Sequence, residues 1–412
     1  QIDSRASDSK GIIIINVVVL PQIHKKGALP HPAVPSRPLS QNIKFKTSFR
    51  NCVYKGFNNR EWRETDADDW NVMWCEKEQI DWFSEVPIQQ GAKVNHFRGW
   101  TELCRKDMLS KNLKKFKRAL DKQGNSSESN EYDFLPPTFL MPSEYVIFFE
   151  EFKRHQHNDK VLWIMKPVLV AHLDLEVQGR GIFIFNKIAD INRWKGTNKD
   201  SAVENYVCQR YIPNPLLFGG RKFDMRIYAL CTSYNPLTVY LYRSGFARFA
   251  HDRYDNVDIE NLVRDAPRRQ TPHQRGHQHE RPHLRQTHRR QVVPRQPQEL
   301  HALEVTNKII RFGIDKTNEA FSDVQRCIIK SMRAVQKLVS HSNYSFELYG
   351  YDFLFDSDGK AWLLEVNGGY VLYTQTLDDA NTPEDSALKV GLVDDVMTII
   401  NVEGVYLLDD LG

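Results

Sequence analysis

Cysteine is scarce in this 412-residue chain. There are six, Cys52, Cys75, Cys104, Cys208, Cys231 and Cys327, and no two form a C-x-x-C pair. Such scatter argues against a structural zinc site or a disulfide framework and suits a reducing compartment. Long apolar runs are missing as well. The run Ile12–Leu20 is far shorter than the roughly 20 residues a bilayer span needs, so no membrane partner is expected. Arg5 and Lys10 precede it as they would a signal-peptide core, but Asp3 and Asp8 dilute that flank and no small-x-small cleavage pattern follows. The expected compartment is the cytosol. Nor is there a strong excess of charge: 56 Lys and Arg stand against 52 Asp and Glu, a formal +4. Arg264–His301 alone holds nine Arg against three acids, which leaves −2 for everything else. Basicity confined to one tract does not make a general nucleic-acid-binding face, and no nucleic-acid partner is expected.

What is present divides the chain. Residues 1–42 read as a disordered tail, Pro-rich after the apolar run and without a period. A domain over 43–135 is marked by Trp62, Trp70, Trp74 and Trp82. Within it, Leu103–Leu120 spaces Leu103, Met108, Leu109, Leu113, Phe116 and Leu120 as the apolar stripe of one helix, with Lys and Arg over the rest. That basic face is either simply solvated or docks an acidic partner. A central domain, 136–215, has strand-like runs at Val161–Met165 and Tyr206–Ile212. Between them, Gln178-Gly179-Arg180-Gly181 precedes Ile182–Phe185, and glycines flanking an Arg suit a loop that brings backbone close to phosphate.

The remaining domain, 216–412, contains the strand Ile227–Tyr234. Just before it, Lys222, Asp224 and Arg226 alternate with Phe223 and Met225, so the charges share one face and read as the wall of a site. The insert at about 264–301 has six His at irregular spacing and almost no apolar residues; disorder is expected there, not a metal site. A helix over Glu319–Val339, with Phe321, Val324, Ile328, Met332, Val335 and Leu338 as its buried stripe, supports a hairpin. That hairpin joins Tyr351–Phe355 to Ala361–Val366 through Asp356-Ser357-Asp358-Gly359. A turn centred on Ser357 and Asp358 puts Asp352 opposite Leu363, with Glu365 its diagonal neighbour and Asn367 next on the same face. Two carboxylates and an amide among residues that want a dry core invite a hard divalent cation such as Mg²⁺.

The order of motifs is specific. Lys166-Pro167, Gln178-Gly179-x-Gly181, Gln209-Arg210-Tyr211-Ile212, Gly220-Arg221-Lys222-Phe223-Asp224-x-Arg226 and Tyr242-Arg243-x-Gly245-x-x-Arg248 come first, then Tyr351-Asp352 and Glu365-Val366-Asn367. Upstream stand Asn95-His96-Phe97-Arg98 and Leu103-Cys104-Arg105-Lys106-Asp107. This series resembles the tubulin tyrosine ligase-like family, and within it the glutamylase branch, over about residues 43–255 and 305–367. The resemblance implies an α/β (α+β) architecture: an ATP-grasp fold with a small N-terminal α/β domain, the central and C-terminal domains forming the grasp. It implies ATP and one or two Mg²⁺ as cofactors. Its implied partners are tubulin C-terminal tails on microtubules, free L-glutamate and accessory subunits, and its implied location is the cytoplasm and cytoskeleton, at a ciliary or flagellar axoneme or basal body.

The implied roles follow residue by residue. Lys166 and Lys222 neutralise nucleotide phosphates, and Gln178 with Gly179 closes over them. Gln209, Arg210, Tyr211 and Ile212 form the hinge strand that meets adenine through its backbone. Phe223 and Asp224 lie at the nucleotide beside Lys222. Asp352, Glu365 and Asn367 hold Mg²⁺. Arg226, Arg248 and Glu365 carry the catalytic roles, Arg248 by pairing with the carboxylate of the incoming glutamate. Three stretches depart from the family pattern. The loop between Lys166 and Gln178 is longer, no H-L-T-N follows Arg248, and Gly368-Gly369-Tyr370-Val371 replaces a small-residue loop after Asn367. A sister glycylase or tyrosine ligase, a small-molecule ligase and a catalytically dead tubulin-binding protein therefore stay open as alternatives.

Overall fold

The computed structural model describes residues 43–76, 88–155, 158, 161–168, 182–191, 205–250, 253–254, 299–301, 314–368 and 383–404. The tail, Trp82, the Gln178-Gly179 loop, nearly all of the basic insert and the stretch after Gly368 up to 382 lie outside them. In chain order the elements begin β1 (Lys44–Thr47), α1 (Cys52–Asn59), β2 (Arg63–Glu64), β3 (Val72–Trp74), β4 (Lys93–Val94), α2 (Thr101–Cys104) and α3 (Lys106–Lys122). Next come α4 (Ser126–Asn130), β5 (Thr138–Met141), α5 (Tyr145–His155), β6 (Trp163–Pro167), β7 (Phe183–Phe185), β8 (Tyr206–Arg210) and β9 (Leu217–Phe218). The last are β10 (Arg221–Tyr234), β11 (Leu237–Phe249), β12 (Glu299–His301), α6 (Ile314–Val335), β13 (Glu347–Phe355), β14 (Ala361–Asn367) and α7 (Pro383–Ile400). They fall into two compact units. One takes the described residues up to Pro136, Phe223–Arg248 and those from Glu299 on; the other takes those of Pro137–Lys222 and of Phe249–Gln298.

In the first unit a parallel sheet, ordered β2-β1-β3-β4, precedes a larger one ordered β12-β11-β10-β13-β14. β13 is buried along its whole length, as a central strand covered on both faces should be, and so shows no apolar–polar alternation. Tyr349, Tyr351 and Phe353 form a ladder of rings on one of its faces, with centroids 6.4 and 6.1 Å apart. Each such buried ring stabilises by roughly 1.5–3 kcal/mol. Phe45, Phe57 and Trp74 of the N-terminal segment share one core with Tyr228, Phe346, Leu348, Leu392 and Val393. The Asn95–Arg98 stretch ties the same segment to β13. His96 Nδ1 lies 3.1 Å from Glu347 Oε1, and Phe97 N–H donates to Glu347 Oε2 at 3.2 Å. Burial of a carboxylate is tolerated because it is met on both oxygens.

Two helices differ from expectation. The basic helix is not continuous. Arg105, with ψ 129°, is extended and separates α2 from α3. The supporting helix α6 ends at Val335 rather than Val339, and Leu338, expected in its buried stripe, is 43 % exposed in the turn beyond. No described helix is long and apolar enough to cross a membrane.

Helix α7 packs on α1 so closely that a Cβ at Gly56 would lie 2.7 Å from Val393 Cγ1. Arg60, buried, donates Nε–H to Asp394 Oδ1 (2.6 Å) and Nη2–H to the Asp394 carbonyl (2.7 Å). The neighbouring Asp395 instead faces a small apolar cavity lined by Leu230, Tyr242, Leu348, Leu392 and Val396. Burial, and next the charge of Asp394, push its pKa up to about 6 against the pull of Arg60. A carboxyl whose folded pKa exceeds its unfolded value favours the fold while protonated, and that contribution is lost as pH rises from about 4 through 6. Asp395→Asn should therefore be more stable than the parent at pH 7, by about 1–2 kcal/mol once partial exposure is discounted, and equally stable below pH 4. Thermal unfolding across that range is the check.

The second unit is built on an antiparallel sheet ordered β5-β8-β6-β7. Phe148 of α5 stands edge-on to Trp163 (5.1 Å, 90°) and close to Phe185, and these fill its core.

Candidate active site

Strand alternation and strand pairing together build a charged face along β10. β10 begins at Arg221, so the charged stretch expected just ahead of a strand lies within it. Phe223, Met225 and Ile227 are buried while Lys222, Asp224 and Arg226 are half-buried, the two-residue alternation of one face in and one face lined with charge. Arg226 is registered opposite Asp352 on β13, and Asp352 opposite Glu365 on β14. The three form a row across three strands.

This register corrects the sequence reading, which set Asp352 against Leu363. The turn is centred one half-residue later: Asp356 N–H donates to the Lys360 carbonyl, Asp356 Oδ1 accepts from Asp358 and Lys360 N–H, and Gly359 takes φ 91°. Phe353 then pairs with Leu363, and a bulge that leaves Leu364 unpaired brings Glu365 opposite Asp352. An inserted residue of this kind re-aims side chains, which is why bulges recur beside active sites.

Asp352 is held by two guanidinium groups. Arg226 grips it in a two-point pair, Nε–H to Oδ1 and Nη2–H to Oδ2 (2.9 Å). Arg248 Nη2 lies 2.8 Å from Oδ2, while its Nε–H donates to Asp224 Oδ1 at 2.7 Å. Asn367 Nδ2 is 3.4 Å from the same Oδ2 and 3.3 Å from the Gly350 carbonyl. Burial opposes the charge on both arginines, but Asp352, joined at Arg248 by Asp224, outweighs it and raises their pKa. For Asp224, burial raises the pKa and Arg248 only partly offsets it. Glu365 is paired with Lys106 of α3, Nζ to Oε2 2.9 Å.

These residues fit a hard cation by their donor chemistry. No three His, Cys, Asp or Glu side chains gather among the described residues. Mg²⁺, however, is commonly held by one or two carboxylates and completed by water and substrate phosphates, and here two carboxylates and one amide share a face.

The second unit carries the lysines. Lys166 on β6 donates to Gln209 Oε1 at 2.8 Å, and Gln209 Nε2, buried on β8, donates to Thr138 Oγ1 at 2.9 Å. A buried amide satisfied on both ends is stiff, so it fixes the lysine it accepts from. Lys222 donates to the Tyr211 hydroxyl at 3.0 Å, with its ammonium 4.5 Å from the Tyr211 ring centre and 6.0 Å from that of Tyr254. The N–H groups of Arg210 and Tyr211 are taken by the Pro137 and Leu162 carbonyls, which removes those two donors from any base. Gln178 and Gly179 fall outside the described residues. Sequence reasoning missed Thr138, Tyr254 and Lys106. None left a local signal: that Lys106 begins a helix, where the macrodipole disfavours a cation, follows from the break at Arg105, which the apolar stripe does not show.

The tubulin-tyrosine ligase family profile matches residues 86–404. A Caenorhabditis elegans protein named "Probable tubulin polyglutamylase ttll-9" is 36 % identical over 373 residues, covering 88 % of this chain and 81 % of its own length. The mouse "Probable tubulin polyglutamylase TTLL9" is 34 % identical over 403 residues, with 88 % and 80 % covered. The Tetrahymena thermophila "Probable alpha-tubulin polyglutamylase Ttll1" is 35 % identical over 390 residues, with 88 % and 86 % covered.

Proposed function

The chain belongs to the tubulin-tyrosine ligase family, whose fold is ATP-grasp-like, and from that premise we propose that it is an ATP-dependent tubulin glutamylase. The observation that carries the site assignment is the Arg226–Asp352–Glu365 row, with Arg248 bridging Asp224 and Asp352. In the proposed reaction a glutamate side-chain carboxylate of the tubulin tail attacks the γ-phosphorus of ATP. The bond to the β-phosphate oxygen breaks, ADP leaves and an acyl phosphate remains. The amine of free glutamate then attacks the acyl carbon, gives up a proton and expels phosphate, leaving an amide.

No protein nucleophile is needed for such chemistry, only positioning and charge neutralisation. Lys166 and Lys222 meet phosphate charge, each already aimed by a neighbour, Gln209 in one case and Tyr211 in the other. Asp352, Glu365 and Asn367 would hold Mg²⁺, which when bound screens the phosphate oxygens and polarises the phosphorus. Arg226 fixes the orientation of Asp352 through its two-point pair. Arg248, 29 % exposed at its side chain, is the candidate for the carboxylate of incoming glutamate, with Asp224 and Asp352 setting its orientation. The exposed Lys111, Lys115, Arg118 and Lys122 of α3 recur at i, i+4, i+7 and i+11, one stripe that would steer an acidic tail. A tubulin substrate means work at microtubules; the axoneme is the finer expectation.

The test is transfer of labelled glutamate to purified tubulin with Mg-ATP, with glycine and tyrosine in parallel. Glutamate alone should be incorporated. Incorporation of glycine or tyrosine instead would reassign the pocket at Arg248, and tubulin binding without any transfer would favour a catalytically dead binder.

A further inference from the structure

We propose that Lys106 is a positioning residue for Glu365, so that the N-terminal helix pair governs the carboxylate end of the cation site. The inference rests on the reading of Glu365 as a cation ligand. Lys106 is the first residue of α3, and no side chain caps that helix. A cation there opposes the helix macrodipole, and the acid that would offset it, Asp107, is occupied by Arg105 through Nη2 (2.8 Å) and Nε (3.1 Å). Local helix energetics therefore give no reason for Lys106. Its reason lies across the fold: Nζ is 2.9 Å from Glu365 Oε2.

The platform under Lys106 is firm. Asn112 Nδ2, buried on α3, donates to the Glu102 carbonyl (3.0 Å) and to Glu102 Oε2 (2.7 Å), locking α2 to α3 across the break at Arg105. Leu103, Leu109 and Leu113 are buried beneath. The end of α2 also abuts the end of β14 directly, since a Cβ at Gly368 would lie 2.7 Å from Cys104 Sγ. The ammonium thus reaches Glu365 from a fixed base. A long, half-exposed glutamate side chain has several rotamers, and a charge-assisted bond to one oxygen narrows them. Removing a partner that orients a ligand in this way typically costs about 10–100-fold in metal affinity.

The experiment measures binding of a non-hydrolysable ATP analogue to the full chain by titration calorimetry at graded Mg²⁺. Lys106→Gln should raise the Mg²⁺ concentration for half-maximal nucleotide binding about tenfold. Lys106→Arg, which keeps the charge, should return it to within about twofold, with melting temperatures like the parent's throughout. In a Glu365→Gln background Lys106→Gln should add nothing. An unchanged Mg²⁺ dependence in Lys106→Gln, alongside a shifted one in Glu365→Gln, overturns the proposal alone. An unchanged dependence in Glu365→Gln overturns the metal reading of Glu365 and the proposal with it.

Discussion

Glu365→Gln is expected to lower glutamate transfer by on the order of 10²-fold or more while leaving the fold intact. The substitution keeps volume and hydrogen-bonding shape but removes the charge by which a hard cation is held. Its cost to stability is small. The side chain is 30 % exposed and its pair with Lys106 is equally open, so losing the pair is worth about 1 kcal/mol at most. Activity and melting temperature measured on the same preparation decide the matter. A variant that transfers glutamate like the parent would remove Glu365 from the site.

Asp352→Ala should behave differently although its residue stands directly across the strand. Asp352 is 2 % exposed at its side chain and answers two guanidinium groups, Arg226 and Arg248. Truncation leaves Arg226, only 12 % exposed at its side chain, unpaired in that direction, and breaking a largely buried pair typically costs about 3–5 kcal/mol. Both transfer and stability should fall, visible as a lower urea midpoint for the unit that contains β13. Asp352→Ala with parent-like unfolding would mean that the Arg226 pair does not anchor the sheet. The two cross-strand carboxylates thus separate, one toward chemistry alone and one toward chemistry and fold.

Much of this was legible in the sequence because it is local. Alternation along Lys222–Arg226 put three charges on one face, and the structure has them there. The hairpin was announced by two apolar runs around Asp356–Gly359, and both strands form. Motif order indicated the family, and the family profile and relatives bear it out. What local pattern mistook, it mistook at discontinuities. An apolar stripe continues across a helix break, so Leu103–Leu120 read as one helix although Arg105 is extended. Leu338 kept the helical spacing of its stripe beyond the point where α6 ends.

By itself, then, the sequence determined the hairpin, the strand that carries the charged face and the family, since each is written in residue spacing or motif order over short stretches. Only the tertiary structure decided that Glu365 faces Asp352 and not Leu363, because a bulge belongs to the pairing of two strands and to neither alone. It also decided that Gln209 braces Lys166, that Arg248 bridges Asp224 and Asp352, and that Lys106 answers Glu365. Those partners stand tens to hundreds of residues apart in the chain, and packing that no sequence period encodes brings them within hydrogen-bond distance.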